Sequence, residues 1–227
     1  APVGSSTLTK RYTLGISPAT VRNELMGLEE GGYVRSPHVS AGRVPTITGY
    51  RSFVNSLLLS EDVVADGEIH ALRAALTRGY RGVSVSMETL RESLIEASQR
   101  IADYTQCLSL IWVPYVSGFV FYRGMPLLLA QPEFRDANTA IPLVRLLEDT
   151  GGLVRVLMGS SEGGRLYVRI GSENAETDLR SFSVVASGFG RPQAQGVVAV
   201  FGPTRLDYRK AIKAVWHASR ALATAAN

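Results

Sequence analysis

The stretch from residue 13 to residue 50 constrains this chain most, because local signals there set both ends of one short helix. Ser17 is a good N-cap and Pro18 suits the first helical position, so the sequence predicts that a helix begins here. Gly31 and Gly32 end it, since glycine tolerates the left-handed conformation that closes a helix. The chain is therefore predicted to carry a helix with defined bounds near its start.

The two sides of this helix differ in character. Val21, Leu25 and Leu28 recur at i, i+4 and i+7 and form one apolar stripe. The opposite side, at about 100° per residue, carries Ala19, Thr20, Asn23 and Gly27. These residues are small or polar, so nothing bulky on that side would keep the helix backbone out of a DNA major groove.

A two-stranded hairpin is predicted to follow the glycines. Tyr33-Val34-Arg35 has strand character, Ser36-Pro37 breaks it, and Ser40-Ala41-Gly42 is a turn before Arg43-Val44 returns as a second strand. Three basic side chains would then lie on or near the tip, within reach of phosphates or a minor groove: Arg35, His38 and Arg43. On composition alone, a helix and hairpin from any α+β domain, with scattered surface charges, explains the stretch about as well.

The same region holds most of the positive charge. The whole chain has a formal net charge of +4. Residues 1–60 contribute most of it, because they hold six Lys and Arg residues against three Glu residues, which is +3. A mildly basic balance of this kind permits nucleic-acid binding without requiring it.

Other classes of function find little support. The single cysteine, Cys107, excludes an intramolecular disulfide, fits a reducing cytosol, and lies in an apolar run that favours a buried side chain over a nucleophile. The apolar runs are shorter than the roughly 18 residues that cross a bilayer. The three histidines are far apart, so no metal site is predicted. We find no catalytic constellation, and no cofactor is expected.

Several motifs resemble one known family. The residues SPATVRNELMGLEEGGYVRSPHVSAGRVPTITGYR, from Ser17 to Arg51, are similar to the N-terminal signature of the HrcA-type heat-inducible transcription repressors. GPTRLDYRKAI, from Gly202 to Ile212, resembles that family's C-terminal signature. Three shorter motifs match in order: Gln131–Phe134, Val168–Asn174 and Ser183–Gly190.

The resemblance implies an α+β chain in which an N-terminal winged helix-turn-helix is joined by helices to a GAF-like sheet-and-helix domain. The expected domains are residues 1–59 for DNA binding, residues 60–106 for a helical linker with dimer contacts, and residues 107–227 for the GAF-like domain. The family has a further helix ahead of residue 1 and an inserted dimerising subdomain near residues 115–120. Both are expected to be missing from this sequence.

Apolar periodicity predicts the remaining elements. Helices are expected over residues 1–12, capped by Ser5 or Ser6, and over 46–59, 61–82, 86–105, 136–150 and 206–223. Strands are expected at CLSLIWV and GFVFYRG after residue 106, and at Leu153–Met158, Leu166–Ile170, Phe182–Ala186 and Val197–Phe201. Arg205 and Arg209 could bind an anion, but a helix that begins there with Thr204 or Asp207 as its cap is the favoured interpretation.

The sequence thus predicts a cytoplasmic, sequence-specific DNA-binding repressor that acts as a homodimer and is not an enzyme. Asn23 is expected to bond an adenine edge, Thr20 and Ala19 to contact a thymine methyl, and Arg22 to reach guanine or phosphate. Phosphate contacts are expected from Lys10, Arg11, Arg35, Arg43 and the helix N-terminus at Ser17, with His38 on the wing surface.

The resemblance implies partners as well. They are an inverted-repeat operator in double-stranded DNA that controls chaperone genes, and a GroE-type chaperonin that keeps the repressor active. Two other classes compete: a regulator whose GAF-like domain senses a small molecule, and an enzyme with an appended helical domain.

Overall fold

The structure is a computed structural model that describes residues 2–38, 41–60, 74, 86–114, 120–158, 165–190 and 196–225. The chain divides into two compact units, Ala1–Leu59 and Ser60–Asn227, here called the head and the body. The helix predicted over 61–82 and the insertion point predicted near 115–120 lie largely outside the described residues. Domain roles therefore stay predictions.

The head consists of three helices and one short hairpin. Its elements are α1 (Ser5–Arg11), α2 (Pro18–Glu30), β1 (Val34–Arg35), β2 (Val44–Pro45) and α3 (Ile47–Leu59). β1 and β2 are antiparallel, with Val34 opposite Pro45 and Arg35 opposite Val44. Val3 pairs with Arg43 through two backbone hydrogen bonds of 2.8 and 3.0 Å, so the residues before α1 extend the hairpin on the β2 side.

The predicted cap of the first helix is wrong. Gly4 occupies the N-cap position, no side chain caps this helix, and Ser5 is buried. The helix begins one residue earlier than a Ser5 cap would require. The paired backbone of Val3 holds the chain directly ahead of the helix, so tertiary contact replaces side-chain capping.

The body consists of a five-stranded sheet covered by helices on both faces. Its elements are α4 (Met87–Thr105), β3 (Leu108–Trp112), β4 (Val120–Arg123), α5 (Met125–Leu129), α6 (Ala137–Glu148), α7 (Thr150–Met158), β5 (Tyr167–Ile170), β6 (Phe182–Phe189), β7 (Gly196–Pro203) and α8 (Tyr208–Ala225). The strands are antiparallel in the order β4-β3-β7-β6-β5. The body is therefore α+β and matches a GAF-like domain.

The sheet is buried on both faces. Every residue of β6 and β7 is buried, because α4 and α8 cover one face while α5, α6 and α7 cover the other. Under the second group of helices, Phe134 stacks on Phe182 with ring centroids 4.9 Å apart. A strand covered on both faces has no side that faces solvent, which explains why β6 and β7 carry small or apolar residues throughout and no charged ones.

One predicted strand is a helix. Leu153–Met158 was expected to be extended, but it belongs to α7. Asp149 begins this helix, since its Oδ1 accepts a hydrogen bond of 2.9 Å from the backbone N–H of Gly152. Leu153 and Leu157, one turn apart, are buried against the sheet. A six-residue apolar run does not distinguish a buried strand from a buried helix, which is why the sequence misled here.

The other predicted elements that fall on described residues of the body occur within a few residues of their expected bounds. The helix expected over 136–150 ends at Glu148, directly before α7, and the last helix begins at Tyr208. Asp207 caps it, with its Oδ1 accepting from the backbone N–H of Lys210 at 3.1 Å. In the described part of the chain, no helix is both long and apolar enough to cross a membrane.

Candidate nucleic-acid interface

The N-terminus of α2 is built as the sequence predicts. Ser17 Oγ accepts a hydrogen bond of 3.1 Å from the backbone N–H of Thr20, and Pro18 occupies the first turn. No acidic side chain lies in that turn. The positive end of the helix dipole is therefore not neutralised locally and can attract a phosphate. At the other end, Gly32 adopts a φ of +74°, the left-handed conformation that closes the helix.

The two sides of α2 are exposed to very different degrees. Val21 is 4% exposed and Leu25 is half-buried, so these two residues pack into the head. On the other side the exposed residues are Ala19, Thr20, Asn23 and Gly27. Leu28, the third residue of the apolar stripe, is 43% exposed, so the buried part of the stripe is limited to the first turns of the helix. Near the first turns of α2, the outward side is accessible to a large partner.

Glu29, at the end of α2, holds both strands of the hairpin. Its Oε1 accepts from the backbone N–H of Ser36 at 2.9 Å, just after β1. Its Oε2 pairs with Arg43 Nη2 at 2.7 Å, just before β2. One carboxylate thus ties the hairpin to the helix. No local pattern in the sequence indicates this role of Glu29, because its partners are seven and fourteen residues away and contact it only when the hairpin folds back.

This ion pair changes what Arg43 can do. Its side chain is 23% exposed and its guanidinium already carries a charge-assisted hydrogen bond to Glu29. A phosphate contact by Arg43 would have to compete with that carboxylate. The ion pair therefore gives Arg43 a positioning role within the head, and its phosphate contact stays a prediction that this ion pair would oppose.

The other predicted cations are accessible. Arg35 and His38 are exposed on the hairpin, where Ser36 Oγ donates a hydrogen bond of 2.7 Å to the carbonyl of His38. Arg22 is exposed on the flank of α2. Lys10 and Arg11 form the exposed last turn of α1.

A second polar contact closes the base of the hairpin. Thr46 caps α3, because its Oγ1 accepts from the backbone N–H of Gly49 at 3.1 Å and donates to the carbonyl of Gly32 at 2.6 Å. Gly49 has no room for a side chain, since a Cβ there would lie 2.1 Å from the carbonyl oxygen of Tyr33. Thr46 ahead of an apolar run is a capping signal that the sequence offered; the close approach at Gly49 is visible only in three dimensions.

The C-terminal motif serves the fold of the body. Arg205 binds two residues of the Gln131–Phe134 motif: its Nη2 lies 2.8 Å from Gln131 Oε1 and 3.0 Å from Glu133 Oε2. Burial raises the pKa of Glu133, but the hydrogen bond from Arg205, a backbone hydrogen bond and the positive charge of Arg205 together outweigh burial and leave that pKa below its ordinary value. The guanidinium group of Arg205 thus binds Gln131 and Glu133 within the protein. This agrees with the interpretation that the motif serves the fold and does not bind an anion.

Two further buried contacts join the remaining motifs. Tyr208 Oη lies 2.8 Å from Ser183 Oγ and donates to the carbonyl of Thr204 at 2.6 Å. Asn174 Nδ2 donates to three backbone carbonyls, those of Gly171, Leu179 and Phe182. These motifs therefore stabilise the body, since buried polar groups need partners.

Cys107 is 3% exposed, as the sequence predicts. Burial raises the pKa of its thiol to about 12, which removes the thiolate at neutral pH and with it nucleophilic reactivity. In the part of the chain that the structure describes, no group of three or more His, Cys, Asp and Glu residues is arranged to hold a metal ion.

Comparison with known proteins gives consistent matches. The family model for the HrcA protein C-terminal domain matches residues 46–212. A protein of Desulfitobacterium hafniense is 27% identical, with 97% of this chain and 90% of that protein covered. A protein of Brevibacillus brevis is 27% identical, and the match covers 97% of this chain and 91% of that protein. A protein of Frankia casuarinae is 30% identical, and the match covers 94% of this chain and 89% of that protein. All three relatives are named heat-inducible transcription repressor HrcA.

A solved structure matches at the level of the fold. It is a crystal structure described only as a hypothetical protein, with a TM-score of 0.77 and 16% sequence identity, and the match covers 100% of this chain and 92% of that one. At this identity the match shows a shared fold alone.

Proposed function

The chain belongs to the HrcA family of heat-inducible transcription repressors, and we propose that it represses by binding an inverted-repeat operator in double-stranded DNA as a homodimer. The head would act as a winged helix-turn-helix, with α2 as the recognition helix and the hairpin β1-β2 as the wing. The operator would control chaperone genes, in keeping with the heat-inducible repressor named for the relatives.

One observation carries this proposal: α2 buries Val21 and presents Ala19, Thr20 and Asn23 to solvent. A major groove is roughly 12 Å wide and admits a helix whose outward side is small. The reverse arrangement, with Asn23 inside and Val21 outside, would leave no base-reading side. The N-terminus of α2, which has no acidic side chain in its first turn, adds the positive end of the helix dipole near the same residues.

Base recognition falls to the first turns of α2. The amide of Asn23 can bond an adenine edge with both its donor and its acceptor. Thr20 and Ala19 carry methyl groups that fit against the methyl group of thymine. Arg22, on the flank, reaches either a guanine edge or a phosphate. These four exposed residues would discriminate among only a few base pairs.

Non-specific affinity would come from the accessible cations and the start of α2. Lys10, Arg11 and Arg35 are exposed, and His38 lies beside Arg35 on the wing. Each phosphate neutralised by such a group releases a counterion, so the affinity falls as salt rises. Glu29 and Arg43 act differently: they hold the wing at a set position beside the recognition helix.

A homodimer follows from the small size of the reading surface. One helix that contacts a few base pairs gives limited discrimination, whereas two heads related by a two-fold axis read two half-sites. The GroE-type chaperonin remains a proposed partner. Support for it comes from apolar side chains that the head exposes, among them Leu14 at 45% and Ile16 at 47%, because chaperonins bind exposed apolar surface.

The test is selection of bound duplexes from a random-sequence library, followed by affinity measurements on the enriched duplex. We expect enrichment of an inverted repeat whose half-sites lie about 10 base pairs, or a multiple, apart. Asn23→Ala should weaken binding to the enriched duplex by about 1–3 kcal/mol and leave binding to random duplex unchanged. The matched control is Asn55→Ala, which removes an exposed amide from α3 and should change neither affinity.

Two results would contradict the proposal. Selection that yields no common sequence would remove specific DNA binding altogether. An Asn23→Ala variant that binds the enriched duplex as tightly as the unaltered protein would keep DNA binding but remove Asn23 from base recognition.

A further inference from the structure

A cleft of about 640 Å³ lies in the body beside the edge strand β5. It is bordered by α6, by α7 and by the segment between β5 and β6. Its volume falls within the roughly 300–1,000 Å³ of small-molecule sites. Nothing in the proposed DNA-binding function uses this part of the molecule, so the cleft needs a separate explanation.

Three arginines from three separate elements line the cleft: Arg145 from α6, Arg155 from α7 and Arg169 from β5. Arg169 lies opposite Val184 of β6 and therefore on the sheet face that α5, α6 and α7 cover. Arg169 is half-buried at the margin of that core, and its Cζ lies 5.8 Å from the ring centroid of Tyr167. The tyrosine is itself held, because its Oη donates to the carbonyl of Leu157 at 2.8 Å.

Two acidic residues, Asp149 and Glu176, also line the cleft, and they leave two of the three arginines without an ion pair among the described residues. Asp149 begins α7 through its hydrogen bond to Gly152, and its Oδ2 lies 3.8 Å from Arg155 Nη2. Among the described residues, no carboxylate lies within 4.0 Å of a guanidinium nitrogen of Arg145 or Arg169. Arg145 and Arg169 thus line one concave surface without an ion-pair partner among the residues that the structure describes. A bound anion would supply acceptors for both guanidinium groups.

Apolar side chains line the cleft beside these charged residues. Leu179 is 1% exposed, and Leu146, Val156 and Pro142 are half-buried. A ligand that fits here therefore combines anionic groups, which meet the arginines, with a compact body that covers the apolar wall.

We propose that this cleft is a binding site for a small molecule that carries two or more carboxylate or phosphate groups. Arg145 and Arg169 bind these groups through charge-assisted hydrogen bonds, and Arg155 adds positive charge at the rim. The site is independent of the head, so its test does not depend on DNA binding.

The test uses citrate and inorganic pyrophosphate as probes, each compared with sodium chloride at the same ionic strength. Both tryptophans, Trp112 and Trp216, lie in the body, so tryptophan fluorescence reports its melting temperature, Tm. We expect at least one probe to raise the Tm beyond the salt control. By calorimetry, the Kd of that probe should rise at least tenfold in the double variant Arg145→Gln/Arg169→Gln. The single variant Arg145→Lys, which keeps the positive charge, should lose less affinity for the probe than Arg145→Gln.

Controls separate this site from other cations. Arg135→Gln removes an exposed arginine of the body that does not line the cleft, and Arg35→Gln removes a cation of the head. Both should bind the probes as the unaltered protein does. No Tm rise with either probe would overturn the proposal. An equal Kd in the double variant, or a loss of binding in Arg35→Gln instead, would overturn it as well.

Discussion

The head and the body hold their shapes in different ways. Among the described residues of the head, the buried apolar side chains are Val21, Val54 and Leu57. In the body, all residues of β6 and β7 are buried and a continuous apolar cluster fills the space beneath α5, α6 and α7. In the head, polar contacts of Glu29 and Thr46 hold the helices and the hairpin together, whereas in the body apolar packing does so.

This difference matches the proposed functions of the two units. A surface that binds a duplex must expose its side chains, so those side chains contribute little to burial. The remaining geometry then depends on a few directional contacts, each worth about 1 kcal/mol or somewhat more when charged. The body has no such conflict, because its sheet faces the protein interior on both sides.

The largest effect is expected where packing is densest. Phe182 is fully buried and stacks on Phe134, so Phe182→Ala should destabilise the body by about 3–5 kcal/mol. Phe53, which is 48% exposed in the head, is the matched control, and Phe53→Ala should cost about 1 kcal/mol or less. Urea denaturation with hydrogen exchange of each unit measures both. Equal costs for the two variants would mean that the units do not differ in the way described.

A smaller effect is expected where backbone segments touch. Gly49→Ala would place a Cβ 2.1 Å from the carbonyl of Tyr33, so α3 or the hairpin must move. We expect a loss of about 1–3 kcal/mol in the head, seen as faster hydrogen exchange in α3, with the tryptophan-reported stability of the body unchanged. Gly27→Ala is the control, since a Cβ at Gly27 meets nothing within 4 Å. A Gly49→Ala head as protected as that of Gly27→Ala would contradict the close approach.

The sequence predicts best those features that depend on neighbouring residues. The start of α2 follows from Ser17 and Pro18, and its end from Gly31 and Gly32, because capping acts within one turn. The burial of Val21 opposite Asn23 follows from the 3.6-residue period. Each of these features could be derived without knowing where the rest of the chain lies.

Features that depend on distant residues were missed. The run Leu153–Met158 was assigned to a strand because its helical conformation is decided by burial against the sheet. The role of Glu29 requires the path of the hairpin, and the cleft requires three arginines from residues 145 to 169 to converge. Local sequence patterns carry no information about contacts between residues that are distant in sequence, so only the folded structure reveals these contacts.

The link between helix and wing offers a third test. Glu29→Gln keeps the side-chain shape but removes the charge that pairs with Arg43, and we expect the head to lose about 1–2 kcal/mol. Hydrogen exchange should quicken in the hairpin, at Ser36 above all. Under the proposed function, the affinity for the enriched duplex should also fall, because the hairpin is no longer held beside α2. The affinity for random duplex should stay the same or rise, because Arg43 loses its ion pair and can contact phosphate.

Glu30→Gln is the control for that variant, since Glu30 is an exposed neighbour at the same end of α2. It removes the same charge from the head without touching the hairpin. If the two variants changed hairpin exchange and DNA affinity alike, the effect would come from net charge and not from the position of the wing.

The smallest effect is expected at an exposed ion pair of the body, Glu133 with Arg205. Burial raises the pKa of Glu133, but hydrogen bonds, chiefly the one from Arg205, and the positive charge of Arg205 together hold it below its ordinary value of 4.5. A carboxyl group whose folded pKa is depressed stabilises the fold fully above its unfolded pKa and loses that contribution as the pH falls through the folded pKa. The Tm of the body should therefore fall more steeply below pH 4.5 in the unaltered protein than in Glu133→Gln, by on the order of 2 °C, because solvent screens a pair this exposed. Glu88→Gln, which removes a more exposed carboxylate 3.8 Å from Arg91, is the control for the loss of one negative charge from the body. If the Tm of Glu133→Gln fell as steeply below pH 4.5 as that of the unaltered protein, the charge of Glu133 would not contribute to stability. The body would then depend on packing even where its surface is polar.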